Sequence, residues 1–243
     1  FTILAEVRNR GTYDIQNVDV YVSGFDPQLI QIGTGRQSLQ NLEGKSTLNP
    51  VGDLDTVEFT APNLVLPPGT PNYRPNVMMS ACYLYQTIAS PMACIDSNPE
   101  LRTEDKSCTV ASLNTGGSQE APIAITSIET QATPKDMVFR IHISNVGGGQ
   151  VYDKASLSNC PFMLQYRDLD KITVEEVSLG TGLRPSEPCK PANPIRLVNG
   201  QATVFCKFAQ PGGPAFQTPL NVKLAYGYKD TVQRQVEIEN IDS

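Results

Sequence analysis

Along Phe1–Arg8 the residues Phe1, Ile3, Ala5 and Val7 occupy one set of alternate positions, with Thr2, Glu6 and Arg8 in the other. That two-residue period predicts a strand with one covered face. Val18–Val22, Thr56–Phe59 and Phe139–Ile143 alternate in the same way, and Ala202–Phe208 and Val232–Ile238 do so less cleanly. Turn signals separate these runs: Asn9-Arg10-Gly11, Pro67-Pro68-Gly69, Asn199-Gly200 and Pro211-Gly212-Gly213. No long window carries the stripe of an amphipathic helix. Asn199-Gly200, set between Ile195–Val198 and Gln201–Phe205, predicts a two-residue hairpin turn. Many short strands with Gly/Pro turns predict an all-β chain of sandwiches or barrels.

The pattern occurs twice. Val7-Arg8-Asn9-Arg10-Gly11 returns as Ile143-Ser144-Asn145-Val146-Gly147, each closing an alternating strand and each followed by a Tyr-Asp pair, Tyr13-Asp14 and Tyr152-Asp153. Leu42-Glu43-Gly44 before Val57-Glu58-Phe59 is matched by Val198-Asn199-Gly200 before Val204-Phe205. Asn76-Val77 with Tyr83-Leu84-Tyr85 is matched by Asn221-Val222 with Tyr226-Gly227-Tyr228. The offsets at Asn9, Gly44 and Asn76 are 136, 156 and 145 residues, so the order is kept while the loops differ in length. Residues 97–121 are poor in large apolar side chains and rich in charge, Gly and Ser, the composition of a linker. The expected domains are therefore 1–118 and 119–243.

Composition narrows the chemistry. The 243 residues carry a net charge of −6, one His, no Trp and six Cys. Two domains with cores of their own fit that length. An acidic chain without clustered Lys and Arg is not expected to bind nucleic acid. No apolar stretch is long enough to span a membrane. Because Phe1 opens directly into strand-like sequence, the chain is expected to be a trimmed piece of a longer precursor. No Asn-x-Ser/Thr sequon occurs, which argues against dense N-glycosylation.

A strand ending in Val/Ile-x-Asn-x-Gly, a second strand, Leu/Val-x-Gly and then a Val/Phe strand resembles the CARDB domains. These are immunoglobulin-like, adhesion-related domains of archaeal and bacterial surface proteins. Cys82-Tyr83-Leu84-Tyr85, with the other cysteines, is also similar to secreted tandem-domain proteins of small-genome archaea. The resemblance implies two tandem immunoglobulin-like β-sandwich domains, extracellular placement and a binding or structural role. The first copy departs from the pattern by an insert at 46–55, and the second sets Val204 beside Phe205.

Cys82, Cys94, Cys108, Cys160, Cys189 and Cys206 show no Cys-x-x-Cys spacing, which disfavours zinc ribbons and thioredoxin-like redox sites. An even number at wide spacing predicts disulfides formed in an oxidising compartment. Cys82 with Cys94 fits a hairpin centred near Ile88. Cys189 with Cys206 brackets the Asn199-Gly200 turn, but strict register sets Cys206 opposite Asn193, so the chain before Pro191 would have to fold back. Cys160 with Cys189 or Cys206 is an equal alternative. A boundary at 118 leaves three Cys per half, which demands an inter-domain bridge or two free thiols.

Catalytic candidates are few. His142 shares the outward face of its strand with Arg140 and has no Gly-x-Ser-x-Gly elbow to accompany it, so a surface role is expected. Gly147-Gly148-Gly149 lacks the Lys and the helix that a phosphate loop needs, and reads as a wide turn. The acidic pairs Asp53/Asp55 and Asp168/Asp170, with Asp14, Asp26 and Asp96 in other loops, are weak calcium candidates, since turns favour Asp in any case. No catalytic residue and no cofactor are assigned. Tyr83, Tyr85, Tyr226 and Tyr228 are expected to pack in cores rather than to form a binding face.

The expectation is a non-enzymatic extracellular structural or adhesive protein, a subunit of a surface filament or layer. Its partners would be other copies of itself or other surface proteins, met through strands such as Phe1–Val7 and Val232–Ile238. The alternative is a ligand-binding ectodomain using loops such as 24–37 or 180–194. A carboxylate-based secreted hydrolase stands third.

Overall fold

The computed structural model describes every residue except 68, 102–104, 116–118, 181 and 241–243. In chain order the first strands are β1 (Thr2–Arg8), β2 (Ile15–Ser23), β3 (Arg36–Leu42), β4 (Leu54–Thr60), β5 (Asn72–Tyr73), β6 (Asn76–Ala89), β7 (Met92–Ile95) and β8 (Leu113–Asn114). They are followed by β9 (Ile123–Ala132), β10 (Asp136–Asn145), β11 (Gln150–Tyr152), β12 (Lys171–Leu179), β13 (Ile195–Arg196), β14 (Gln201–Ala209), β15 (Phe216–Gln235) and β16 (Ile238–Glu239). A short 3₁₀ segment at Lys154–Asn159 is the single helical element among the described residues. The chain is all-β, as the alternation predicts.

The strands gather into two compact units, and neither is a continuous stretch of chain. One holds Phe1–Leu84, Leu157–Leu164 and Tyr228–Ser243, and the other holds Tyr85–Ser156 and Gln165–Gly227. Residue 118, the expected boundary, lies outside the described residues. The long strands β6 and β15 each contribute residues to both units.

In the first unit β1 pairs antiparallel with β4 from Thr2↔Thr60 to Arg8↔Leu54. A second sheet runs β3-β2-β6-β15, and β5 pairs with β16. Ile15, Val18, Val20, Val22, Leu42, Val57 and Phe59 are buried at its core. In the second unit one sheet runs β14-β10-β9-β8 and the other β13-β12-β15-β6, with β7 and β11 also pairing along β15. Its sheets meet where the Thr87 hydroxyl donates to the Ile123 carbonyl at 2.5 Å and lies 2.9 Å from the Tyr226 hydroxyl. Ile123, Ile125, Ile128, Phe139, Ile141 and Phe208 are fully buried there, with Phe139 and Phe208 edge to face at 5.5 Å between ring centres.

The repeat has a common corner. Asn9 Nδ2 donates to the Tyr13 carbonyl at 2.8 Å, and Asn9 Oδ1 accepts from Gly11 N at 3.1 Å. Asn145 repeats both bonds, to the Gly149 carbonyl at 3.1 Å and from Gly147 N at 3.2 Å. Each Asn thus closes the turn after its strand with the same donor–acceptor pair. The insert at 46–55 feeds β4 through Gly52, whose φ is +71°. A β-carbon there would stand 1.9 Å from the Asn9 carbonyl oxygen, so only glycine permits the close approach.

The aligned registers also resolve the Val204-Phe205 departure. Ala5 faces Val57 as Ile141 faces Val204, so Phe205 takes the outward position of Glu58, and its ring lies under the Arg140 guanidinium. The tyrosines recur as well: Tyr83 lies 6.0 Å from Tyr228, and Tyr85 lies 6.2 Å from Tyr226. Tyr85, Tyr226 and Tyr228 are buried, and Tyr83 partly so. Gly227 replaces the Leu84 of the first copy because the Tyr152 ring would lie 2.1 Å from its β-carbon.

All six cysteines are bridged, as Cys82–Cys160, Cys94–Cys108 and Cys189–Cys206. The Cys82–Cys94 hairpin pairing is corrected: β7 does not fold back on β6 but pairs with β15, setting Cys94 opposite Gln217. Of the two outcomes that three Cys per half allow, a bridge between the halves is the one found: Cys82 is tied to Cys160, 78 residues on, and no thiol is left free. The Asn199-Gly200 turn forms with both φ values positive, at 52° and 75°. One expected hairpin arm is corrected, since Ile195–Arg196 leaves β14 to pair with Ile172 and Lys171 of β12, where Ile195 is buried. Lys190 then comes to lie opposite Phe205, where strict register would put Pro194, and this fold-back brings Cys189 to Cys206.

Cys82→Ala together with Cys160→Ala should lower the unfolding free energy by about 4 kcal/mol in a denaturant titration, given the long loop this bridge closes. Asn9→Ala should cost about 1–3 kcal/mol, because it leaves the buried Leu42 carbonyl without its side-chain donor. No loss in either titration would contradict the assignments.

Candidate functional site

Three places in the second unit bring chemistry-bearing side chains together. The first is the outer face of the β9-β10-β14 sheet. His142 lies opposite Thr203 and beside β9. Its Nδ1 is 3.3 Å from Thr203 Oγ1, and its Nε2 is 3.2 Å from Glu129 Oε1. Arg140 Nη1 donates to Glu129 Oε2 at 2.9 Å. Hydroxyl, imidazole and carboxylate thus stand in the order used by nucleophilic hydrolases. Such chemistry also needs main-chain donors converging on an oxyanion, and the N–H groups along β10 are engaged in ladders with β9 and β14. His142 keeps the surface position expected of it, in a cross-strand polar row. Sequence reading missed Glu129 and Thr203 because nothing in a single strand announces its neighbours.

The second place is the turn before β12. Asp168 is nearly buried and accepts from Gln165 N at 2.9 Å and from Ser156 Oγ at 3.1 Å. The Gln165 N–H lowers its pKa most; burial opposes this, and the Ser156 hydroxyl adds to the lowering. Asp170 sits at φ +57° and donates its N–H to the Val151 carbonyl. Asp53 Oδ1 and Asp55 Oδ1 accept from the next residue's N–H, at 3.3 and 2.7 Å, in the first unit. Asp53, Asp168 and Asp170 thus lie in turns or loops, and Asp55 lies in β4 opposite Val7. No group of three or more His, Cys, Asp or Glu able to hold a metal occurs among the described residues. Asp96 is a further buried acid. Its burial would raise the pKa, but the Lys106 ammonium at 2.7 Å and the Asn98 N–H outweigh it and lower the value.

The third place is a cavity of about 370 Å³ between β12 and the 184–195 segment. Val174, Glu176, Arg184, Pro188, Cys189 and Asn193 are among its walls. The consecutive Glu175 and Glu176 interrupt the alternation of β12, and the register slips between Val174 and Glu176 as a bulge. Bulging aims Glu175 at Lys154, 2.7 Å away, and Lys223, 3.5 Å away; the Lys154 contact is the main cause of its lowered pKa. Asn193 holds the opposite wall by imitating a strand. Its Oδ1 accepts from Val174 N at 2.9 Å and its Nδ2 donates to the Val174 carbonyl at 2.8 Å. The Cys189–Cys206 bridge fixes the segment from the far side. The expected 180–194 loop thus borders a real recess, and the doubled Glu was its sequence signal.

No protein-family model, curated protein or solved structure matches the chain. No helix among the described residues is long and apolar enough to cross a membrane.

Asp96, Asp168 and Glu175 all have depressed values in the folded state. Such groups contribute stability that is present above the unfolded carboxylate range, near pH 4, and is lost as pH falls through the folded values. The melting temperature should therefore be flat from pH 7 to about pH 5 and fall below about pH 4. In Asp168→Asn that acid-side fall should be shallower, from a lower plateau. An unchanged acid limb would contradict the role given to Asp168.

Proposed function

We propose that the chain is a non-enzymatic extracellular structural or adhesive module, built on the tandem immunoglobulin-like plan of CARDB-type domains. It assembles with copies of itself or with other surface proteins through strand contacts. The observation that carries this reading is the closure of all six cysteines into three disulfides within an all-β chain. Structural disulfides persist in oxidising compartments and are rare in the cytosol. The polar side chains singled out in the sequence lend further support. His142 works in a cross-strand row, and Asp168 and the two Asn corners close turns, all tasks of a rigid strand framework. Repeated modules with stiff corners suit filaments and layers.

Electron microscopy of the native material tests this directly. Regular filaments or lattices are expected, and a stable monomer at high concentration in all conditions would overturn the reading.

The cavity beside Asn193 favours a second reading, a ligand-binding ectodomain. On that reading Asn193→Ala, which frees the cavity wall, abolishes a saturable thermal shift given by a small ligand. On the assembly reading the same variant leaves assembly intact.

A further inference from the structure

The edge of β12 that faces the 184–195 segment is held at both ends of the cavity and open between them. At one end the Asn193 side chain bonds the Val174 N–H and C=O, so Val174 turns these groups away from Leu224, its opposite in β15. At the other end Leu179 exchanges N–H···O bonds with Leu183, at 2.8 and 3.0 Å, and so turns away from Leu220. Both residues therefore occupy non-hydrogen-bonded positions of the β12–β15 ladder. The bulge at Glu175 and Glu176 shifts the alternation by one residue. Val177, opposite Val222, then falls in the same class as Leu179 two residues on. The Val177 N–H and C=O thus point to the cavity, and among the described residues nothing bonds them there. Val177 is 7% exposed. A main-chain donor and acceptor placed so deeply are normally paired.

The opposite wall keeps this space open. Pro185, Pro188 and Pro191 recur at every third residue and line the cavity, and proline has no N–H with which to close the gap. Ser186 and Lys190 turn their N–H groups the other way, to the Lys207 and Phe205 carbonyls at 2.8 and 2.9 Å. Main-chain bonds and the Cys189–Cys206 bridge thus pin the segment to β14, where it stands off β12. Val174, Val177 and Ile195 give the gap apolar lining. Of the charged groups in its walls, Glu175 is answered by Lys154 and Lys223, and Glu176 accepts from the Ser178 hydroxyl at 2.7 Å. The Arg184 guanidinium has no hydrogen bond or ion pair among the described residues.

We infer that this gap takes one residue of an extended peptide from a partner protein, paired antiparallel with Val177. This rests on the reading of the cavity as a ligand site and names the ligand's class. A main-chain donor beside a main-chain acceptor calls for amide groups, and the Asn193 carboxamide already answers the same pair at Val174. In antiparallel pairing one ligand residue makes both bonds, whereas a parallel chain spreads them over two of its residues. Between Asn193 and the Leu179–Leu183 pair one ladder position is open, which selects the antiparallel chain. The residue opposite Val177 is apolar, because its side chain falls on the Val177 face beside Val174 and Ile195. An antiparallel ligand has its N-terminal side at the Leu179 end, where Arg184 follows Leu183. The ligand residue before the apolar one is accordingly acidic. A ligand with several negative charges is disfavoured by Glu176 in the same wall.

The probe is the capped tripeptide acetyl-glutamyl-leucyl-alanine amide, titrated into the intact chain and followed through its backbone amide resonances. Saturable shifts centred on Val177 are expected. Methylating the leucine nitrogen of the probe removes the N–H that the Val177 carbonyl accepts, and should weaken binding about tenfold. Glutamine in place of the probe's glutamate should weaken binding to the intact chain several-fold, while Arg184→Gln should bind the two probes equally. The variant should melt with the parent chain, because Arg184 is exposed and unpaired among the described residues. Equal binding of the methylated and unmethylated probes overturns the proposal, as does a preference for glutamate that survives in Arg184→Gln. No shift at millimolar probe also overturns it. A saturable thermal shift with isovalerate, which carries the apolar group and the carboxylate without an amide, would then leave the ligand-site reading standing. Silence from both probes would remove that reading as well.

Discussion

Each strand carries two rows of main-chain donors and acceptors, and its apolar face stays dry only where neighbours hold both rows. That constraint organises this chain. In the second unit β10 has β14 on one side and β9 on the other, and its inward residues are fully buried. In the first unit β1 has β4 alone among the described residues, and the same positions are partly exposed. The difference follows from hydrogen-bonded neighbours, since the alternation of β1 is as regular as that of β10.

Around these strands the two copies keep common hardware and vary its covering. The Asn9 and Asn145 corners make matching side-chain bonds, and the β1–β4 register reproduces that of β10–β14. The disulfides act where the chain departs from the shared plan. Cys160 sits in the 153–170 segment, which the first copy lacks, and is tied to Cys82 in β6. Cys94 is tied to Cys108 in the expected linker, and Cys189 anchors the fold-back beside the cavity. Covalent bonds thus secure irregular segments that have little ladder of their own.

Much of this was legible in the sequence because it is local. Alternation placed β1, β2, β4, β10 and β14, Asn199-Gly200 gave its turn, and the three matched motifs exposed the repeat. What escaped depends on which distant segments meet. Cys82 with Cys94 fits a hairpin in the sequence because nothing in Met92–Ile95 says that this strand pairs with β15. Ile195 was assigned to β14 because its burial against β12 is decided by the core, with Ile172 opposite it. At the candidate sites, His142 was read correctly as a surface residue. Thr203 and Glu129, its neighbours across two strands, could not be seen without the register.

The central claim is that, among the described residues, β10 is held by neighbouring strands along both edges and β1 along one. Residue-resolved amide hydrogen exchange on the dilute monomer measures this most directly. Val138, Arg140, His142 and Ser144 should exchange slowly, and Thr2, Leu4, Glu6 and Arg8 close to the unprotected rate, while Ile3, Ala5 and Val7 stay protected by β4. Equal, strong protection of the two even-numbered sets would contradict the account.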